Sequence, residues 1–136
     1  MSGDYKKAMP VPGPESIPFW EGVKNHQLMV QKCLRCDHRW FPPSSVCTSC
    51  GNRDFEWVTL SGKGTVFSFV VFHRVYHKGW EGELPYVVGI VELEEGPRML
   101  SNIIEVPAEN VKCDMPVRVV FDDVTDQLTL PKFKPV

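Results

Sequence analysis

Hydrophobic positions change their rhythm once along this chain, near Ser61. Beyond it, runs rich in Val, Ile, Phe and Tyr are broken by Gly, Pro and Asp, the texture of short paired strands. Five strands are predicted there, over Gly64–Tyr76, Tyr86–Leu93, Arg98–Glu105, Val117–Asp123 and Leu128–Phe133, with one helical turn at Pro107–Val111. Before Ser61 the apolar groups come in smaller sets. Phe19, Trp20 and Val23 recur at helical spacing behind Ser16, a candidate N-cap, and Pro18 suits a first turn, so a short helix is predicted over Ile17–Asn25. Leu28–Lys32 and Phe55–Leu60 are β-prone, and a cysteine-rich stretch lies between them. Met1–Glu15, with Pro10, Pro12, Pro14, Gly3 and Gly13, is expected to be a flexible or extended leader whose structure depends on a partner. The expected organisation is therefore a leader over 1–15, a helical hook with the cysteine stretch over 16–60, and a small barrel over 61–136.

The cysteines change the picture most. Cys33-x2-Cys36 and Cys47-x2-Cys50 each have the spacing of a tight knuckle aiming two thiolates at one point, and two knuckles make a closed tetrahedral site for Zn²⁺. Gly51 after Cys50 permits a positive φ at one knuckle exit, and Asp37 after Cys36 tolerates it at the other. A segment of about 30 residues buries too little apolar surface to order itself, whereas structural zinc supplies roughly 10–16 kcal/mol in small peptides. Four thiolates leave no open coordination position, so the metal is expected to be structural. Spacing alone does not separate zinc from rubredoxin-like iron. Redox-active CxxC pairs are the other alternative, disfavoured because no βαβ pattern accompanies them. His38 is read as a spare histidine rather than a ligand.

Charge and chain length narrow the function. With 15 Lys+Arg against 17 Asp+Glu the formal charge of the 136 residues is −2. Met1–Val58 carries seven basic and six acidic residues, and Thr59–Val136 eight and eleven, so the barrel half is the acidic one. A small five-stranded barrel with aromatics suggests single-stranded nucleic-acid binding, yet the positive groove such binding needs is not evident. That reading is kept as the alternative. No apolar run reaches the roughly 18 residues of a membrane span, and the first ten residues lack the apolar core of a signal peptide, so a cytoplasmic protein with reduced thiols is expected.

Phe19-Trp-Glu-Gly22, the two knuckles with Phe41-Pro-Pro43 between them, Ser61-Gly-Lys-Gly-Thr-Val66, Pro85-Tyr86, Glu95-Gly-Pro-Arg98, Met115-Pro-Val117 and Leu130-Pro-Lys-Phe133 occur in order from Ser16 to the last residue. Together they resemble the OB-fold proteins with an N-terminal rubredoxin-like zinc ribbon, a domain-of-unknown-function family associated with acyl-CoA metabolism. The resemblance implies a mainly β fold: an N-terminal helix and zinc ribbon followed by a five-stranded OB barrel. It also implies a non-catalytic accessory subunit in a hetero-oligomer with a thiolase-like or hydratase enzyme, helping to bind a coenzyme A thioester. Cys113 departs from the pattern, standing where the family carries a glycine ahead of Met115-Pro-Val117, at a turn expected to need a positive φ.

No catalytic residues are assigned. Cys113, the fifth cysteine, has no base or helix N-terminus supplied by the sequence. Gly62-Lys-Gly64 lacks P-loop spacing and reads as a turn. Loops joining the first two strands of OB barrels commonly line the ligand face, which makes Tyr76, His77, Lys78 and Trp80 the candidate ligand or partner contacts. Phe19, Trp20, Trp40 and Phe41 are the candidate docking surface, since large aromatics are concentrated there beyond what a small lobe easily buries.

Overall fold

A computed structural model describes residues 5–136. The first four residues of the expected leader lie outside the described residues. Eight strands and one short helix follow: α1 (Ile17–Lys24), β1 (Met29–Cys33), β2 (Arg39–Trp40), β3 (Phe55–Thr59), β4 (Lys63–Phe72), β5 (Tyr86–Leu93), β6 (Arg98–Ile103), β7 (Pro116–Asp123) and β8 (Thr129–Pro135). Strands β2-β1-β3 form a small antiparallel sheet, and β4-β5-β6-β8-β7 close a barrel. The fold is thus mainly β, with a ribbon followed by a five-stranded barrel, as expected.

Differences from expectation have local causes. A 3-10 turn over Pro14–Ser16 leads into α1, and the Ser16 hydroxyl donates to the Gly13 carbonyl (3.0 Å) rather than capping the helix. α1 stops at Lys24 because His26 takes a left-handed φ of 60°, with His26 N–H donating to Val23 O (2.9 Å) and Gln27 N–H to Gly22 O (2.8 Å), the pair of bonds that makes a Schellman end. β4 ends at Phe72 instead of reaching Tyr76. Phe72 pairs with Tyr86, and the next residue across is Pro85, which has no N–H to extend the ladder. β6 ends at Ile103, ahead of a left-handed Glu105.

The turn before β7 places its positive φ at Asp114 (68°), not at Cys113, so the cysteine departure costs no backbone strain. Asp114 N–H donates to Val66 O (2.7 Å), and Val66 N–H donates to Met115 O (3.0 Å). Glu94 and Glu95 hold the start of the barrel. Glu95 Oε2 accepts from Ser61 N–H (2.8 Å) and Glu94 Oε1 from the Ser61 hydroxyl (3.0 Å), pinning the link between ribbon and barrel.

One buried core runs from the hook into the barrel. Phe19, Val23, Leu28 and Val30 share one buried cluster with the barrel residues Val66, Val87, Val91, Met99, Val117 and Phe133. The reason lies in the barrel seam. β6 and β8 bridge at a single pair, Ile103 with Phe133, so the edge from Arg98 to Asn102 lacks a strand partner there. Phe19, Trp20 and Phe41 pack over that gap beside Met99, Leu100, Ser101, Leu130 and Pro131. A second, smaller cluster of Cys33, Trp40 and Cys47, with Phe55 against it, belongs to the ribbon alone.

Candidate functional site

β1 delivers Cys33 to the end of the ribbon sheet, and two equivalent turns do the rest. In the first, Cys33 N–H donates to His38 O (2.8 Å) and Asp37 N–H to Cys33 O (3.1 Å); in the second, Cys47 N–H donates to Asn52 O (2.9 Å) and Gly51 N–H to Cys47 O (3.0 Å). Asp37 (φ 64°) and Gly51 (φ 79°) hold the two left-handed exits that the spacing predicted. Each leading sulfur accepts two backbone N–H bonds: Cys33 Sγ from Arg35 (3.3 Å) and Cys36 (3.4 Å), and Cys47 Sγ from Ser49 (3.3 Å) and Cys50 (3.4 Å). Behind the site, the buried Gln31 clamps the intervening loop, donating to Ser44 O (2.7 Å) and accepting from Ser44 N–H (2.9 Å).

All four sulfurs lie within 4.8 Å of one another. Cys33–Cys50 and Cys36–Cys47 are each 3.6 Å apart, too long for disulfides and near the edge of about 3.8 Å that a tetrahedron with Zn–S bonds near 2.3 Å requires. Protonation follows the same geometry. Burial pushes the Cys33 thiol up, but the N–H groups of Cys36 and Arg35, the Asn52 amide and the Cys50 sulfur favour its thiolate and bring it down to about 6. Cys47 is lowered likewise, burial being outweighed by the N–H groups of Cys50 and Ser49. Cys36, although it accepts from the His38 backbone, is pushed up to about 12 by burial and by the sulfurs of Cys47, Cys50 and Cys33. Four sulfurs this close become thiolates together only around a cation, and the donor set fits Zn²⁺. His38 lies outside the set, with Nε2 3.0 Å from Thr48 Oγ1 and its ring stacked on Trp40.

The residues proposed for ligand or partner contact fall in the loop joining β4 to β5. Tyr76 is 70% exposed, His77 and Lys78 are exposed, and the His77 ring nitrogen Nδ1 accepts from Gly79 N–H (2.9 Å). Trp80 is half-buried and stacks on Tyr86 with ring centroids 4.1 Å apart. Tyr86 stacks on Phe72 (5.0 Å), and Phe72 meets Tyr76 edge-on (5.8 Å), so one aromatic run crosses the end of the barrel.

Of the four docking candidates, two are buried within the chain. Phe19 (4% exposed) and Trp40 (3%) spend their ring area inside the chain, Phe19 on Phe41 and Trp20 over the seam and Trp40 on Phe55 beside the cysteines. Trp20 and Phe41 stay half-buried and accessible. Sequence reasoning missed Lys7, Glu83, Asn102 and Lys132, which line a hollow beside Trp80. Their only signal was chemical type, because the topology alone brings them together.

Two family models cover most of the chain: the ChsH2 rubredoxin-like zinc ribbon domain matches residues 20–56, and the ChsH2 C-terminal OB-fold domain matches residues 57–122. The chain belongs to the ChsH2 zinc-ribbon and OB-fold family. Among its relatives, a probable enoyl-CoA hydratase alpha subunit from Thermomonospora curvata is 36% identical over 118 residues, covering 86% of this chain and 36% of that protein. A DUF35 domain-containing scaffold protein from Methanocaldococcus jannaschii is 34% identical over 128 residues, covering 88% of this chain and 90% of the relative. This chain therefore spans about a third of the hydratase subunit but nearly all of the scaffold protein. A solved structure described as Ltp2-ChsH2(DUF35) aldolase contains a chain that superposes with a TM-score of 0.85 at 33% identity, over 93% of this chain and 98% of that one. Among the described residues of this ChsH2 relative, no helix is long and apolar enough to cross a membrane.

Proposed function

We propose that the protein is a non-catalytic accessory subunit that docks on a thiolase-like, aldolase or hydratase enzyme and helps to position its coenzyme A thioester. The observation that supports this most directly is the near end-to-end superposition on the chain from the ChsH2 aldolase assembly. Relatives described as subunits of a hydratase and of benzoylsuccinyl-CoA thiolase point the same way. Structural Zn²⁺ on Cys33, Cys36, Cys47 and Cys50 holds the ribbon and, with it, the loop carrying Phe41. Trp20 and Phe41 supply the accessible apolar docking contacts. Tyr76, His77, Lys78 and Trp80 face the thioester, with Lys78 and the neighbouring Arg74 offering cations to its phosphates and the aromatic run lying along its apolar arm. The hook over 16–60 seals the barrel of 61–136, and the two share one core.

The test is co-expression with the partner enzyme from the native gene neighbourhood, followed by measurement of turnover and acyl-CoA affinity with and without this chain. Co-purification and a fall in acyl-CoA affinity when the chain is withheld are expected. An enzyme equally active and equally avid without it would overturn the reading.

A further inference from the structure

The leader does not hang free of the barrel. Tyr5, Lys7, Ala8, Met9 and Pro10 lie against the barrel and, with Trp20, His77, Trp80, Glu83, Asp122 and Lys132, line a hollow of about 930 Å³. Lys7 is the anchor. Its Nζ lies 4.3 Å from the Trp80 ring centroid and 2.6 Å from Glu83 Oε2, and its side chain keeps only 17% of its exposure. A lysine held between an aromatic face and a carboxylate is a specific fit, since Lys is otherwise among the least buried residue types.

The backbone is seated as closely. A Cβ added at Gly79 would come within 2.5 Å of the Lys6 carbonyl oxygen and 2.8 Å of Lys7 Cα, so the glycine is what lets the leader pass. The φ of Gly79 is not left-handed, and its lack of a side chain is explained by this approach alone. Charge also selects the occupant. Among the hollow's lining residues outside the leader, Glu83, Asp122 and Asp123 face one lysine, Lys132, which is already paired with Asp122 at 2.7 Å. Beside the Trp80 ring, Glu83 supplies the carboxylate that matches an extended segment bearing a lysine.

We infer that this trough is a peptide-binding groove, that residues 5–10 are its occupant within the chain, and that a lysine-bearing extended segment of the partner enzyme subunit takes their place in the complex. The partner half of this inference rests on the proposed function; the groove itself does not.

The experiment measures binding of a synthetic peptide with the sequence of residues 5–13 to the full-length chain by calorimetry. A tethered segment acts at an effective concentration of the order of millimolar. The wild type is therefore expected to bind the peptide at least about tenfold more weakly than Lys7→Glu, in which Glu83 repels the chain's own leader but the groove is intact. Gly79→Ala frees the leader and blocks the groove together, so it is expected to bind no peptide while trypsin cleaves after Lys6 and Lys7 faster than in wild type. Unchanged zinc content and far-UV spectra confirm folding of both variants, and Glu81→Gln, outside the trough, should behave as wild type. Equal binding by wild type and Lys7→Glu, or binding by neither, would overturn the groove. In the assembled complex, trypsin should cut the leader faster than in the free chain; slower or equal cutting overturns the partner half, whereas failure to co-purify bears only on the proposed function.

Discussion

His26 Nε2 lies 3.1 Å from both carboxylate oxygens of Asp123, and its ring stacks on Phe121 with centroids 5.1 Å apart and planes 11° from parallel. One histidine at the left-handed end of α1 thus ties the hook to β7 of the barrel. Glycine would suit that backbone better, and the histidine offsets the difference through these contacts.

Asp123 responds to this placement. The Thr129 hydroxyl, at 2.6 Å, and then His26 hold its carboxyl below the ordinary value of 3.8. A carboxylate with a lowered folded pKa contributes stability that is complete above its unfolded pKa, near 4, and is lost as pH falls through the lower folded value. Asp123→Asn is therefore expected to lower stability at neutral pH and to flatten the acid limb of the unfolding free energy below about pH 4. Urea titrations between pH 2.5 and 7 measure both, and an acid limb as steep as wild type would show that the contact contributes nothing.

Metal removal should act on the ribbon first. Among the described residues, Cys33 and Cys47 share their small cluster with Trp40 and Phe55, while the main core lies elsewhere. One zinc per chain is expected by elemental analysis. In native protein only the exposed Cys113 should react promptly with a thiol reagent, and all five cysteines should react after chelation. Cys33→Ser should abolish stoichiometric metal while leaving most of the β signal. Prompt alkylation of all five thiols in freshly isolated protein would mean that no metal is held there.

Cysteine spacing made the metal centre legible, because a CxxC knuckle is a local object whose turn, N–H donors and left-handed exit are all set within five or six residues. Strand positions were legible for the same reason, each run of Val, Ile and Phe carrying its own period. The destination of single aromatics was not. Phe19 and Trp40 have identical local credentials to Trp20 and Phe41, and only the incompletely paired seam between β6 and β8 decides that Phe19 turns inward. The trough was hidden because Lys7 and Glu83 are 76 positions apart. Where β4 stops depends on a proline in a different strand's approach, which periodicity along β4 cannot report.

That seam gives the sharpest test of how ribbon and barrel share stability. Phe19→Ala removes a buried ring from the N-terminal hook, and losses of roughly 3–5 kcal/mol are usual for Phe→Ala in a packed core. Because Phe19 belongs to the same cluster as Phe133, the whole barrel should lose that stability in a single denaturant transition, as Phe133→Ala should. Two separate transitions, with only the ribbon weakened by Phe19→Ala, would show the hook to be an appendage.

Trp80 is where the ligand reading is most exposed to failure. Its ring stacks on Tyr86 and carries Lys7 on one face, so truncation removes both the groove's aromatic wall and the last member of the aromatic run. Aromatic anchors of this kind typically contribute 1–2 kcal/mol or more at a binding surface, which is roughly tenfold in affinity. In complex with the partner enzyme, Trp80→Ala should weaken acyl-CoA binding by about that factor, with kcat less affected than KM, and Tyr76→Ala should do so to a smaller degree. Zinc content and melting temperature serve as folding controls, since Trp80 lies outside the main core cluster. Acyl-CoA affinity unchanged in both variants, in a complex that still assembles, would move the thioester away from this loop and leave the trough to its peptide alone.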